Sequence, residues 1–158
     1  MKARIMKLMM VVTMMFSAIS AAAQVKAFEK YSDMKGVSYV YISKAMLKLA
    51  SNFAAPSIPG TNMDNIIPKL SAIQIISAGG STSKKIKADA INIVNKDNYE
   101  MLMQVDEDDN KVRIYHREGS KQSVIIMISG SQNGVAVIVF SGSFTLKDIE
   151  AAVKDGKA

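Results

Sequence analysis

The feature that most constrains the fold is a series of four strand-like segments between residues 99 and 142. Residues 99–106 and 112–117 alternate apolar and polar side chains, whereas residues 124–128 and 135–140 are continuously apolar. Short polar segments at 107–110, 119–120 and 131–134 separate them. Because tight turns connect antiparallel neighbours, this pattern predicts a four-stranded antiparallel meander.

The first half of the chain adds two strands and several helices. Residues 37–42 and 70–77 are rich in β-branched and apolar side chains and read as strands. Residues 78–83 read as a flexible connection. Three groups of apolar residues recur at the spacing of one helix face: Met46, Leu49, Ala50 and Phe53; Ile86, Ala90, Ile93 and Val94; and Leu146, Ile149, Ala152 and Val153. Together these patterns predict an α+β fold, with a mixed or antiparallel sheet of about six strands and helices packed mainly on one face.

Residues 1–23 have the pattern of a bacterial secretory signal peptide. Lys2, Arg4 and Lys7 precede an apolar stretch at 8–19, and small residues follow up to a predicted cleavage site after Ala23. The apolar stretch is shorter than the roughly 20 residues of a membrane span, which disfavours an uncleaved anchor. We therefore expect one domain over residues 24–158, exported to the periplasm or the cell exterior, without a transmembrane helix.

The composition excludes several classes of site. The chain has no cysteine, which excludes disulfides, thiol catalysis, thiolate metal sites and a lipidated N-terminal cysteine. Three of its 20 basic residues lie in the predicted leader, so 17 basic residues face 14 acidic ones in the mature chain, a charge of +3. This modest charge, together with export, disfavours a nucleic-acid partner.

Two segments resemble ligand-binding motifs only in part. Asp106, Asp108 and Asn110 match the first half of a calcium loop, but Lys111 and Arg117 stand where that loop needs glycine and glutamate. Residues 79–85 join a strand to a helix but lack the phosphate-binding glycine pattern. We interpret them as a hairpin turn and a loop, and we predict neither a metal nor a cofactor.

Catalytic residues are not evident from the sequence. His116 is the single histidine and falls near the end of a predicted strand, on the same side as Val112 and Ile114. A catalytic triad needs a nucleophile and an orienting acid around the histidine, and the sequence indicates neither. We therefore predict no catalytic residue.

Five side chains are the candidates for a ligand or partner surface. Arg113, Tyr115 and Arg117 form a basic, aromatic strip that the alternation places on the solvated side of their strand. Tyr39 and Tyr41 share one side of the first strand, where they either pack in the core or, if the strand lies at an edge, line a groove.

Several stretches resemble a known family. Phe28-Glu29-Lys30-Tyr31, the run from Gly36-Val37-Ser38 to Ala45-Met46-Leu47, the later apolar strands and the helical ending are similar to the exported Bacteroidota family with the domain of unknown function 4252. The resemblance covers about residues 25–155. It implies no activity and no functional residues. Because members are often encoded near extracytoplasmic-function sigma factors, it implies a link to envelope stress or regulation.

The sequence leaves three functions open. The first is an exported, non-catalytic module that binds a protein or another envelope component, with self-association as one form. The second is a hydrolase of glycans or peptides whose carboxylates converge from different strands. The third is a structural or adhesive protein that pairs through an edge strand, for which residues 135–140 are the predicted segment.

Overall fold

A six-stranded antiparallel sheet lies at the centre of the computed structural model, which describes residues 26–50 and 64–155. The strands are β1 (Val37–Ser43), β2 (Leu70–Gly79), β3 (Glu100–Glu107), β4 (Asn110–Arg117), β5 (Ser123–Gly130) and β6 (Gly134–Gly142). Their order in the sheet is β1-β2-β6-β5-β4-β3. The α+β class, the number of strands and the C-terminal meander are thus confirmed. The predicted signal peptide lies outside the described residues.

Strand β6 occupies the interior of the sheet, between β2 and β5. Ile138 is paired with Ile75 on one side and with Met127 on the other. Both backbone edges of β6 are therefore used within the sheet. Residues 135–140 are not available for edge pairing, and the expectation that this run acts as an adhesive edge is wrong.

Among the described residues, four short or medium helices flank the sheet. They are a helical turn at residues 26–29, α1 (Lys44–Ala50), α2 (Gly80–Lys96) and α3 (Leu146–Asp155), with a 3-10 turn at Ile67–Lys69 before β2. Helix α2 begins directly after β2, so the flexible connection predicted at 78–83 is wrong. Gly80 has φ +58°, a conformation that glycine adopts without steric cost and that lets the chain turn at once from strand into helix.

The main cluster of buried side chains lies between α2 and one face of the sheet. It comprises Phe28, Tyr31, Ile76, Ile86, Ala90, Val94, Val124, Ile126, Ile128, Val135, Val137 and Val139. Three of the four residues predicted for the inner face of α2 are fully buried there, and Ile93 packs at the margin. The buried Tyr31 donates its hydroxyl proton to Asp89 of α2, which ties the N-terminal segment to the helix.

A second, smaller cluster lies at one end of the opposite face. It comprises Leu47, Ile66, Leu70, Phe144 and Ala152. Helix α1 contributes only Leu47, while Met46 and Leu49 are more than half exposed, so the predicted inner face of α1 is wrong. Phe53, the fourth residue of that predicted face, lies outside the described residues.

Helix α3 starts with the capping box that the sequence indicates. The Thr145 amide donates to Asp148 Oδ2 over 2.8 Å, and the Asp148 amide donates to Thr145 Oγ1 over 3.3 Å. Asp148 also pairs with Lys69 at 2.6 Å, just before β2. These contacts hold the start of α3 against the end of the sheet.

A bulge in β3 breaks the alternation expected for residues 99–106. Met101 is paired with Tyr115, but Met103 is paired with Ile114, so Leu102 is an extra residue. Met101 therefore lies on the face of the main cluster, whereas Met103 and Val105 lie on the opposite face. The prediction that Tyr99, Met101, Met103 and Val105 share one side is wrong for this reason.

Candidate functional site

The second face of the sheet carries apolar side chains that no described element covers completely. These side chains come from five neighbouring strands, and each side chain is half-buried or exposed. These residues, named here the open face, are Ile75, Met103, Val105, Val112, Ile114, Met127 and Ile138. Met103 is exposed and the other six are half-buried, and because exposed apolar patches mark binding sites, the open face is the strongest candidate site.

A groove of about 560 Å³ lies where the open face meets α3. Leu102, Met103 and Ile114 form its floor on one side, and Ile149 and Val153 of α3 form part of its wall. The bulge in β3 brings both Leu102 and Met103 to the groove. Its volume falls within the roughly 300–1,000 Å³ typical of ligand sites.

The polar groups of the groove come from α3. Within the described part of the chain, Glu150 and Lys154 are the two charged residues that line it, and both are exposed at its rim. A groove of this composition can desolvate an apolar group and orient it by one polar contact at the rim. The sequence indicated the apolar character of these strands, but it did not show which of their residues α3 leaves open.

The five residues predicted as a partner surface lie on the other face, that of the main cluster. A row of paired residues crosses the sheet from Tyr41 through Gln74, Val139 and Ile126 to Tyr115. The tyrosines of β1 and the strip on β4 are therefore four strand spacings apart, roughly 19 Å. The structure does not bring the two groups together in one site.

The two tyrosines of β1 differ in their surroundings. The Tyr39 hydroxyl accepts a hydrogen bond from Gln74 Nε2 over 2.7 Å, and its ring packs beside the main cluster. Tyr41 is 51% exposed at the outermost strand of the sheet. Of the two tyrosines, Tyr41 is the one whose side chain is accessible to a partner.

The strip on β4 is engaged within the chain. Arg113 pairs with Asp106 at 2.8 Å and donates to the carbonyl of Val105, and its hydrogen bond holds the pKa of the Asp106 carboxyl below its usual range. Arg117 lies 5.5 Å from the centre of the Tyr99 ring. All three strip residues are half-buried on the side of α2. A partner role for them stays a prediction.

The acidic turn at 107–110 is a two-residue hairpin between β3 and β4. Glu107 is paired with Asn110, and Asp108 adopts φ +36° in the turn. Within residues 26–50 and 64–155, no group of three or more metal-ligating side chains is placed to hold an ion.

His116 is buried at the end of β4, 4% exposed and with its ring centre 6.3 Å from that of Phe144. Its Nε2 atom has no hydrogen-bond partner among the described residues. Burial lowers the pKa of His116, and the carboxylates of Glu118 and Glu100 offset only part of that effect. The side chain is therefore kept neutral by its surroundings.

We expect His116 to make the protein less stable in mild acid. The unfolded chain takes up a proton near the ordinary histidine pKa of about 6.5, whereas the folded chain does so only at lower pH. The free energy of unfolding should therefore fall as pH drops below about 6.5, and a His116→Gln variant should show a shallower dependence. Urea denaturation of both proteins between pH 7.5 and 5.5 measures this; parallel curves would contradict it.

The comparison with family models supplies one match. The model described as "Domain of unknown function (DUF4252)" matches residues 31–152, which include all six strands. The chain belongs to this family. The DUF4252 match begins at Tyr31 in the main cluster and ends at Ala152 in the second. Neither the curated proteins nor the solved structures contain a match to the chain.

Among the described residues, none of the helices is both long enough and apolar enough to cross a bilayer.

Proposed function

We propose that this chain is an exported, non-catalytic binding module of the bacterial cell envelope, with the open face and its groove as the binding site. The observation that carries the proposal is an apolar sheet face only partly covered by α1 and α3. Seven apolar residues from five strands are left half-buried or exposed there. Burying them against a partner would remove apolar surface from water at about 25 cal/mol per Å².

The proposed export implies an envelope location for this partner. The pattern of residues 1–23 and the absence of cysteine favour a mature protein released without a lipid anchor. The partner is then a protein or another component of the envelope, and a link to envelope stress or regulation is part of the proposal. Among the residues that the structure describes, Glu150 is the one carboxylate that lines the groove, and this lining does not favour a two-carboxylate hydrolase.

Site-specific photo-crosslinking in the native cell tests the proposal. A photoreactive residue at Met103, which is 51% exposed in the groove, should capture a defined envelope component at native expression level. The matched control is Asn92, an exposed position on α2, the helix that packs on the other face of the sheet. The proposal fails if both positions give the same products or if Met103 captures nothing. Recovery from the periplasmic or extracellular fraction, with Gln24 as the first residue, tests export.

A further inference from the structure

The two outer strands of the sheet are protected to different degrees. Strand β3 carries Glu100, Asp106 and Glu107, and it contains the bulge between Met101 and Met103. Charges and bulges are the features by which sheets prevent their edges from pairing with other chains. Strand β1 has neither: its seven residues include no charge and no proline, and its register with β2 is continuous from Val37 to Ser43.

The outer edge of β1 is open in the part of the chain that the structure describes. Strand β2 is its one neighbour in the sheet. Val40 is 43% exposed on one face and Tyr41 is 51% exposed on the other. Five of the seven residues are β-branched aliphatic or aromatic with strong strand preference: Val37, Tyr39, Val40, Tyr41 and Ile42.

We propose that β1 pairs with β1 of a second copy of this chain, antiparallel and about a two-fold axis at Val40. A two-fold axis perpendicular to the sheet makes equivalent edge strands antiparallel, so the contact is self-complementary and closed. Centring the axis on Val40 is the register that uses the whole strand, because Val37 then lies opposite Ser43 of the second copy.

The side chains fit this register on both faces. Tyr39 of each copy lies opposite Tyr41 of the other, and such aromatic cross-strand pairs stabilise antiparallel sheets. On the opposite face, Val40 meets its own counterpart. The contact continues both faces of the sheet into a twelve-stranded sheet, because each copy contributes six.

The lysines next to β1 predict how the pairing should depend on salt concentration. Lys35 and Lys44 are exposed just beyond the two ends of the strand. In the antiparallel register, Lys44 of one copy lies opposite Gly36 of the other, next to Lys35. Salt screens this repulsion, so the dimer should become stronger as ionic strength rises. An acidic extended peptide on the same edge would bind more weakly as ionic strength rises. The salt dependence therefore distinguishes a second copy of this chain from such a peptide.

The expected dimer is reversible. A seven-residue strand is about 24 Å long, and pairing two such edges buries less than the roughly 1,200 Å² of a stable interface. Sedimentation of the purified protein should therefore show a dimer fraction that rises with protein concentration and with salt. Val40→Lys should remove the dimer, because it places a charge at the centre of the edge. Ile91→Lys, at a similarly exposed position on α2, should leave it intact.

Single cysteines test the register directly, because the chain has none of its own. Residues opposite each other in an antiparallel pair lie within the Cα separation that a disulfide needs. Val40→Cys should give a disulfide-linked dimer under mild oxidation, and Ile91→Cys on α2 should stay monomeric. A wild-type protein that is monomeric at all concentrations, or a dimer that survives Val40→Lys, would overturn the proposal. Since the edge of β1 is separate from the groove, either result leaves the groove crosslinking test unaffected.

Discussion

An Ile126→Ala variant should lose about 3 to 4 kcal/mol of its free energy of unfolding. Ile126 has no exposed surface and lies in β5, paired with Val139 and Tyr115 beneath α2. Truncation removes its contacts and leaves a cavity that the surrounding sheet cannot close. Since small domains have about 5–15 kcal/mol of stability in total, a large part of the stability should disappear. Urea denaturation followed by circular dichroism measures the loss.

Ile138→Ala is the matched control for this substitution. Ile138 lies in the adjacent strand β6 but on the open face, where it is half-buried. The same truncation should cost about 1 kcal/mol there, because less apolar surface returns to water. Equal losses at the two positions would mean that the open face is as well covered as the main cluster, which would contradict the proposed binding site as well.

A Gly142→Ala variant should be destabilised by roughly 3 kcal/mol, at the upper end of overpacking effects. Gly142 ends β6 beside Leu70, and an added Cβ would lie 2.3 Å from the Lys69 carbonyl oxygen and 2.8 Å from the Leu70 Cα atom. Both are backbone atoms, and the same Lys69 carbonyl accepts a hydrogen bond from the Ser143 amide over 2.8 Å. The substitution must therefore separate β6 from the start of β2.

Gly130→Ala is the control for that substitution. Gly130 ends β5, but a Cβ there would lie 3.6 Å from the flexible Lys87 side chain, an ordinary contact. We expect stability to be unchanged or raised by up to about 1 kcal/mol, because alanine reduces the freedom of the unfolded chain. Thermal denaturation of both variants decides the matter; equal melting temperatures would show that β6 and β2 are not as close at Gly142 as described.

The elements that sequence reasoning placed well are those with a strong local signal. The apolar spacing of Ile86, Ala90, Ile93 and Val94 predicts the inner face of α2, and three of the four are buried, because a long helix repeats its spacing several times. The capping box of Thr145 and Asp148 is likewise contained in four consecutive residues. The inner face of α1 was misassigned, because a seven-residue helix repeats its pattern too few times to fix its rotation.

The candidate site shows the other limit of sequence reasoning. The alternation on β4 correctly put His116, Ile114 and Val112 on one side of the strand. Which side faces α2 depends on the order of six strands, and the polar strip of Arg113 and Arg117 proved to face it. Leu102 is an extra residue in β3, and it places Met103 on the open face instead of the face of Met101. No local sequence pattern predicts such a bulge.

The sequence by itself determined the class of the fold, the C-terminal meander and the two-sided apolar character of β5 and β6, because local periodicity and turn chemistry are properties of neighbouring residues. Only the tertiary structure decided that β6 is internal and, among the described residues, that β1 is an edge strand with one neighbour and that α3 leaves the open face partly uncovered. Each of these depends on pairing between distant segments, such as Ile75 with Ile138. The surfaces proposed for binding are set by that long-range pairing, which is why the sequence indicated their composition but not their location.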